Sequence, residues 1–129
     1  MVYFVQQTLV FCIPLMIVAL AGVFAERSGI INIALEGIMV FGAFIGVLFT
    51  RLFLKIGFGP ETGQLLLIIV ILITMLFGGI FALLLAYASI NLKADQTIGG
   101  TALNLLAPAL VLFLIIIISQ QNVLNIDSR

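Results

Sequence analysis

Three long runs without a charged residue constrain this chain more than any other feature of its sequence. No Asp, Glu, Lys or Arg occurs within residues 1–25, 62–92 or 96–126. A helix needs about 20 apolar residues to cross the roughly 30 Å hydrocarbon core of a bilayer, because each residue adds about 1.5 Å of rise. Each run is therefore long enough for one crossing.

A fourth crossing fits residues 30–49, an apolar stretch that only Glu36 interrupts. Composition agrees, since 64% of the 129 residues are hydrophobic and 8% are charged, against about 25% charged residues in soluble domains. We predict an all-α, polytopic helical membrane protein with four transmembrane helices near residues 2–24, 30–50, 65–89 and 98–118. Residues 1–129 are expected to form a single transmembrane region surrounded by membrane lipid.

The first run could instead be a cleaved signal peptide. Signal peptides begin with a basic segment followed by about 7–15 apolar residues, whereas residues 1–7 contain no Lys or Arg and the apolar stretch continues to Ala25. Retention as a membrane helix is the better interpretation. The polar link at residues 26–29 is very short, so the first two segments form a tight hairpin or the second begins as a broken helix.

Small residues recur at helical spacing in the second and third segments. Gly42 and Gly46 form a GxxxG pair, and Gly78, Ala82 and Ala86 follow one another at spacings of four. In lipid, where apolar burial does not drive helices together, such stripes let helix backbones approach closely. We expect these residues to face other helices; the alternative is chance occurrence in a membrane chain rich in glycine and alanine.

Glu36 is the most informative polar residue. An acidic side chain at the centre of a membrane helix costs about 2.5–3.5 kcal/mol on insertion scales, so such groups usually face a bundle interior or water. In a continuous helix, Ser28, Asn32 and Glu36 would share one face. This face could line or gate a substrate pathway. Alternatively, Glu36 lies near a membrane surface, or caps and braces a broken helix end.

A second polar face is predicted in the fourth segment. Thr97, Thr101, Asn104 and Pro108 follow one another at spacings of four, three and four. If segments two and four meet, Asn104 could form a hydrogen bond with Asn32 or Glu36 and join them on the pathway. The alternative is separate packing of the segments with satisfied amides.

Several function classes have no support in the sequence. It contains no glycine-rich phosphate loop with its lysine, no Ser/His/Asp set, no metal-ligand cluster and no histidine. We therefore expect no enzymatic activity, cofactor or metal in the chain itself. The formal net charge is zero, without a basic patch that would indicate nucleic-acid binding.

Two stretches resemble a known family. Residues 26–44, ERSGIINIALEGIMVFGAF, and residues 94–107, ADQTIGGTALNLLA, are similar to two segments of ABC-transporter permeases for nucleosides and simple sugars. These permeases are related to the ribose and branched-chain amino-acid permeases. The two stretches occur in the family's order and cover about a quarter of the chain. The positions that match the family pattern are Asn32, Glu36, Gly37, Gly42 and Asn104.

The resemblance implies a multi-pass permease subunit of a binding-protein-dependent importer in the cell (inner) membrane. Two permease subunits would form the pathway, a cytoplasmic ATPase would bind ATP and drive alternating access, and an extracytoplasmic solute-binding protein would deliver the substrate. Permeases of this family are considerably longer, with their ATPase-coupling loop further toward the C-terminus. We therefore expect this chain to be the N-terminal part of a longer permease domain.

A different class of function stays open at this point. A small helical membrane protein could use its small-residue stripes to assemble or regulate other proteins and transport nothing itself. The polar stripes favour the permease, whereas the short length favours the assembly role. The sequence does not identify the substrate, because members of the family carry different polar solutes.

Overall fold

Four long helices account for almost all of the structure, a computed structural model that describes residues 1–58 and 62–119. They are α1 (Val2–Arg27), α2 (Leu35–Lys55), α3 (Gly63–Ile90) and α4 (Gln96–Ser119). Each is long and apolar enough to cross a membrane, and the described residues contain no strand. The predicted all-α fold with four membrane helices is confirmed.

The start of the second helix was predicted wrongly. α2 begins at Leu35, whereas the hydropathy pattern predicts a helix from about residue 30. Residues 28–34, which we call the break, lie outside both α1 and α2. The irregular break agrees with the second of the two alternatives for this link, a segment that begins as a broken helix. Ser28, Asn32 and Glu36 consequently do not share a helical face, because no continuous helix joins them.

Two glycines in left-handed conformation end α1 and α2 in the same way. Gly29 and Gly57 both have φ of 85°, which glycine adopts without the steric cost that a side chain would bring. The amide of Gly29 donates to Glu26 at 3.0 Å and that of Ile30 to Ala25 at 3.2 Å. This is the Schellman pattern of helix termination, and it stops α1 before the apolar residues of the break.

α2, α3 and α4 form the packed part of the molecule. One buried cluster lies next to the break, and a second lies further along the three helices. Phe41 of α2 stacks on Phe81 of α3 with ring centroids 4.6 Å apart, and such aromatic pairs add about 0.5–1.5 kcal/mol to the burial of their area. The members of the two clusters are Ala34, Phe81, Leu85, Leu103 and Ala107 in the first, and Phe44, Ile45 and Val111 in the second.

α1 lies at the edge of this three-helix core. It contains no buried residue, and its large apolar side chains are exposed along its length. Such a surface would aggregate in water, but it is the expected surface of a helix in contact with lipid or with other membrane helices. Gly22 marks one close approach to α2, since a Cβ there would lie 3.4 Å from Leu35 Cδ1.

The small-residue stripes of α2 and α3 lie where these helices meet. A Cβ added at Gly42 would lie 3.5 Å from Thr74 Cγ2, and one added at Gly46 would lie 3.4 Å from Thr74 Oγ1. A Cβ at Gly78 would lie 3.9 Å from Ile38 Cγ2, and Ala82 is half-buried. A single added carbon therefore fits at these glycines, whereas a larger side chain would push Thr74 or Ile38 away.

We predict that Gly46→Leu and Gly42→Leu each lower the free energy of unfolding by about 1–3 kcal/mol, because overpacking separates α2 from α3. Gly79→Leu is the matched control, since nothing lies within 4 Å of a Cβ at Gly79. Unfolding of the chain in bilayers by denaturant measures the difference. Equal stability of the Gly46 and Gly79 variants would show that the stripe is incidental to packing.

Candidate functional site at the break before α2

The backbone of the break lacks the regular hydrogen bonds of a helix, although it runs alongside the first turns of α4. Gln96 at the start of α4 contacts Gly29 and Ile31, whereas Asn104 contacts Ile33 and Gly37. Asn104 lies eight residues after Gln96, which is about 12 Å along a helix axis. The break therefore descends about two helical turns alongside α4. Within a bilayer, such backbone groups must be paired by protein or by water in a cavity.

Asn104 pairs two of these backbone groups with one side chain. Its Nδ2 donates to the carbonyl oxygen of Ile33 at 2.8 Å, and its Oδ1 accepts from the amide of Gly37 at 2.7 Å. Ala34, the residue before α2, provides no side-chain cap. One of the first free amides of α2 is consequently capped by a residue of another helix.

Gln96 pairs with backbone groups near the beginning of the break in a similar way. Its Oε1 accepts from the amide of Ile31 at 2.7 Å, and its Nε2 lies 3.4 Å from the carbonyl oxygen of Gly29. The second contact is long for a hydrogen bond and contributes less than the first. The side-chain amides of Gln96 and Asn104 thus pair backbone groups near the beginning of the break and near its end.

Close backbone contact accompanies these bonds. A Cβ added at Gly37 would lie 2.9 Å from the carbonyl oxygen of Leu103, and one added at Gly100 would lie 2.9 Å from Ile33 Cβ. Ala34 and Ala107 are fully buried beside them. Only small residues allow the break to lie this close to α4, so the glycines and the amide bonds depend on each other.

Asn32 and Glu36 are close in sequence to the residues of this contact. Asn32 is half-buried, and its Oδ1 accepts from the amide of Ala34 at 3.1 Å. Glu36 is in the first turn of α2 and is exposed. A carboxylate there is favoured by the positive end of the helix dipole, which fits the interpretation that Glu36 braces a broken helix end.

The predicted side-chain contact between segments two and four is wrong in its details. Segments two and four do meet, but Asn104 bonds to backbone atoms of Ile33 and Gly37, not to the side chains of Asn32 or Glu36. The amide completes an interrupted backbone, which spacing within α4 cannot reveal. A role of Asn32, Glu36 or Asn104 in a pathway stays a prediction.

Three residues that matter here escaped the sequence analysis as site residues: Gln96, Gly37 and Gly100. All three lie in the two stretches that resemble the permease family, and of them only Gly37 was named there, as a position that matches the family pattern. Two signals were available. Gly29, shortly after the charged pair Glu26-Arg27, indicates the end of a helix, and two amide side chains occur in the fourth segment, which was considered as a neighbour of the second. The contacts themselves join residues more than 60 positions apart and could not be assigned.

Asn32 lines a groove of about 650 Å³ between α1, α2 and α3. The wall is mostly apolar and includes the small residues Gly42, Gly78 and Ala82. Asn32 also lines a second groove of about 190 Å³ that reaches Ser28. Among residues 1–58 and 62–119, no three His, Cys, Asp or Glu side chains come together as metal ligands would.

Asp95 fixes the beginning of α4 and thereby the place of Gln96. Its carboxylate accepts from the amides of Thr97 at 2.8 Å and Ile98 at 3.2 Å, as expected of a residue that caps a helix N-terminus. These hydrogen bonds, that from Ile98 first, hold the pKa of Asp95 below its ordinary value. The charged form is therefore the one that stabilises the start of α4.

We predict a pH-dependent difference between wild type and Asp95→Asn. Because the folded-state pKa of Asp95 is lowered, its extra stability is present above the ordinary Asp pKa of about 3.9 and is lost as pH falls through the folded value. Asparagine caps a helix without titrating. Unfolding of both proteins at pH 6 and near pH 3 should show a larger acid-induced loss for wild type. Equal losses would contradict the assignment of the cap.

Gly37→Ala and Gly100→Ala should each destabilise the fold by about 1–3 kcal/mol, because the new methyl group meets atoms that cannot move freely. Gly79→Ala is the control, with open space around its Cβ and a gain in helix propensity. Unfolding in bilayers compares the three. Stability of both test variants at or above that of the control would refute the close contact of the break with α4.

Comparison with known proteins adds an independent finding. The chain matches the family described as "Branched-chain amino acid transport system / permease component" over residues 4–128. No solved structure matches it significantly. The match covers all four helices, the break and both motif-bearing stretches.

Similar curated proteins include permeases named for nucleoside transport. The chain is 46% identical to the guanosine ABC transporter permease protein NupQ of Bacillus subtilis over 86% of its own length and 33% of the relative. It is 42% identical to the nucleoside ABC transporter permease protein NupC of Lactococcus lactis over 97% of its length and 38% of the relative. It thus spans about a third of the length of these relatives.

Two findings indicate the same family. The chain has a transmembrane fold of four helices, and the family match extends along nearly the whole chain. The resemblance drawn from residues 26–44 and 94–107 is confirmed, and so is the placement in the cell membrane as a multi-pass protein. The chain belongs to the permease family of branched-chain amino-acid-type ABC transport systems.

Proposed function

We propose that this chain forms part of the membrane-spanning permease of an ABC importer for nucleosides. The observation that carries the proposal is the identity of 46% and 42% with two permeases named for guanosine and for nucleosides, over most of the chain. The family match over residues 4–128 contains the break and α4. Simple sugars, the other substrate class that the motifs suggested, have no counterpart among these two relatives' names.

In this proposal the chain is not itself an enzyme, and energy comes from partners. A separate cytoplasmic ATPase binds ATP and drives alternating access, a second permease subunit completes the pathway, and an extracytoplasmic solute-binding protein delivers the nucleoside. The α-helices of this chain supply one wall of the permease. The alternative role, assembly or regulation without transport, is not favoured by the relatives.

The geometry of the break supports a transport role on physical grounds. Irregular backbone within a membrane is tolerated only where protein buries it or where it lines a water-filled cavity. Here Asn104 and Gln96 pair backbone groups of the break and of the first turn of α2. Asn32 lines two grooves, and Glu36 is exposed. A polar solute could meet polar side chains at this place while these backbone groups stay paired with α4.

A chimera tests the proposal with this chain as it stands. The matched third of the Bacillus guanosine permease is replaced by the 111 residues of this chain that align with it. ATP-dependent uptake of labelled guanosine is measured in cells that lack the original permease but keep its partners. We expect uptake well above the permease-free background. A chimera that reaches normal membrane abundance and associates with its ATPase, but transports no nucleoside, would contradict the proposal.

Glu36 gives a residue-level prediction within the complete transporter. Glu36→Gln keeps the shape and removes the charge; if the carboxylate serves passage or gating, uptake falls while membrane abundance and ATPase association stay normal. If Glu36 only braces the start of α2, Glu36→Gln is mild and Glu36→Leu lowers abundance. Glu26→Gln, at the end of α1, is the control. Wild-type uptake in both Glu36 variants would refute both roles.

A further inference from the structure

The side-chain amides of Gln96 and Asn104, which connect α4 to the break, both form hydrogen bonds to backbone atoms. A carboxamide offers an acceptor on one atom and donors on the other. Asn104 uses both atoms, at 2.7 and 2.8 Å, and Gln96 uses its oxygen at 2.7 Å. Asn104 in particular keeps little capacity for a solute, so any effect it has on transport must pass through the backbone that it holds.

Asn32 is placed differently. Its oxygen is engaged by the amide of Ala34 at 3.1 Å, which fixes the plane of the side chain. Within residues 1–58 and 62–119, its amide nitrogen has no hydrogen-bond acceptor. The same side chain lines both the 650 Å³ groove and the 190 Å³ groove, so a residue with an available donor borders both grooves.

The position of this donor depends on α4. Asn32 follows Ile31, which Gln96 holds by its amide, and precedes Ile33, which Asn104 holds by its carbonyl oxygen. The backbone on both sides of Asn32 is therefore attached to α4 by a short hydrogen bond. Binding groups act well only when held within about 0.5 Å of their productive place by such supporting contacts.

We propose that Gln96 and Asn104 are positioning residues, which hold the break so that the Asn32 amide nitrogen donates a hydrogen bond to an acceptor atom of the passing solute. On the proposed function, on which this inference rests, the acceptor is a hydroxyl or carbonyl oxygen or a ring nitrogen of a nucleoside. Asn104, one of the three pathway candidates, thereby acts on the pathway indirectly, and Gln96 joins it.

A double-mutant cycle in the complete transporter, with its ATPase and binding protein, tests this assignment. The variants are Asn32→Ala, Gln96→Leu and the two combined, and the readout is the initial rate of nucleoside uptake divided by membrane abundance. Each single variant should lower this rate about two- to tenfold, as expected for loss of one hydrogen bond. The double variant should be no slower than Asn32→Ala alone, because Gln96 acts through Asn32.

Gln96→Leu is preferred over Asn104→Leu as the first variant, because the hydrogen bond of Gln96 to Ile31 lies at an exposed place, whereas both hydrogen bonds of Asn104 are partly buried. Loss of the Gln96 bond is therefore less damaging to folding. Asn104→Leu is run as the second positioning variant, again with and without Asn32→Ala. Thr101→Val is the control on the same helix, because the Thr101 hydroxyl bonds only to the carbonyl oxygens of Thr97 and Ile98 in its own helix. Its normalised uptake should equal that of wild type.

Two outcomes overturn the inference while leaving the proposed function intact. In the first, wild type transports nucleosides and Asn32→Ala transports them equally well. In the second, the effects of Asn32→Ala and Gln96→Leu multiply in the double variant, which is the result expected of independent structural damage. A wild-type transporter that carries no nucleoside contradicts the proposed function itself, and with it the inference.

Discussion

The hydrogen bonds between the Asn104 side chain and the backbone at Ile33 and Gly37 are the interaction on which the rest of the structure depends. Each bond is short, at 2.8 and 2.7 Å, yet interhelical polar bonds in membranes contribute on average only about 0.6 kcal/mol. These hydrogen bonds matter because two backbone groups would be unpaired without them. An unpaired backbone group in hydrocarbon costs several kcal/mol, and the break cannot satisfy these two groups by itself.

The small residues around these hydrogen bonds follow from this constraint. Gly37 and Gly100 keep the backbones of α2 and α4 close enough for the amide to reach, and Ala34 and Ala107 are fully buried in the same contact. The adjoining cluster of Phe81, Leu85 and Leu103 then closes over the break from α3 and α4. The paired backbone groups, the close approach of the backbones and the apolar packing thus occur together where the break contacts α4.

Hydropathy was sufficient to predict the four helices, because charge-free runs of this length have few alternatives in a membrane. It could not predict that α2 begins at Leu35, since residues 30–34 are as apolar as the helix that follows. The local signal for the break was Gly29 after Glu26-Arg27, which ends α1 in a left-handed conformation. The partner of the break lies more than 60 residues away, and a single sequence does not reveal such a pairing. Asn104 was therefore found as a polar residue, but its backbone partners were not.

The most direct test of this account is a measurement of the Asn104 amide itself. Solid-state NMR of the chain in bilayers, with ¹⁵N-labelled glycine and uniformly ¹³C-labelled asparagine and isoleucine, reports whether the Gly37 amide nitrogen lies in dipolar contact with the Asn104 carboxamide carbon. The same labels give the backbone carbon shifts of residues 30–33. We predict this contact in wild type, together with non-helical chemical shifts for residues 30–33. Absence of the contact, with helical shifts from residue 30 onward, would mean that α2 is continuous and that the break does not exist.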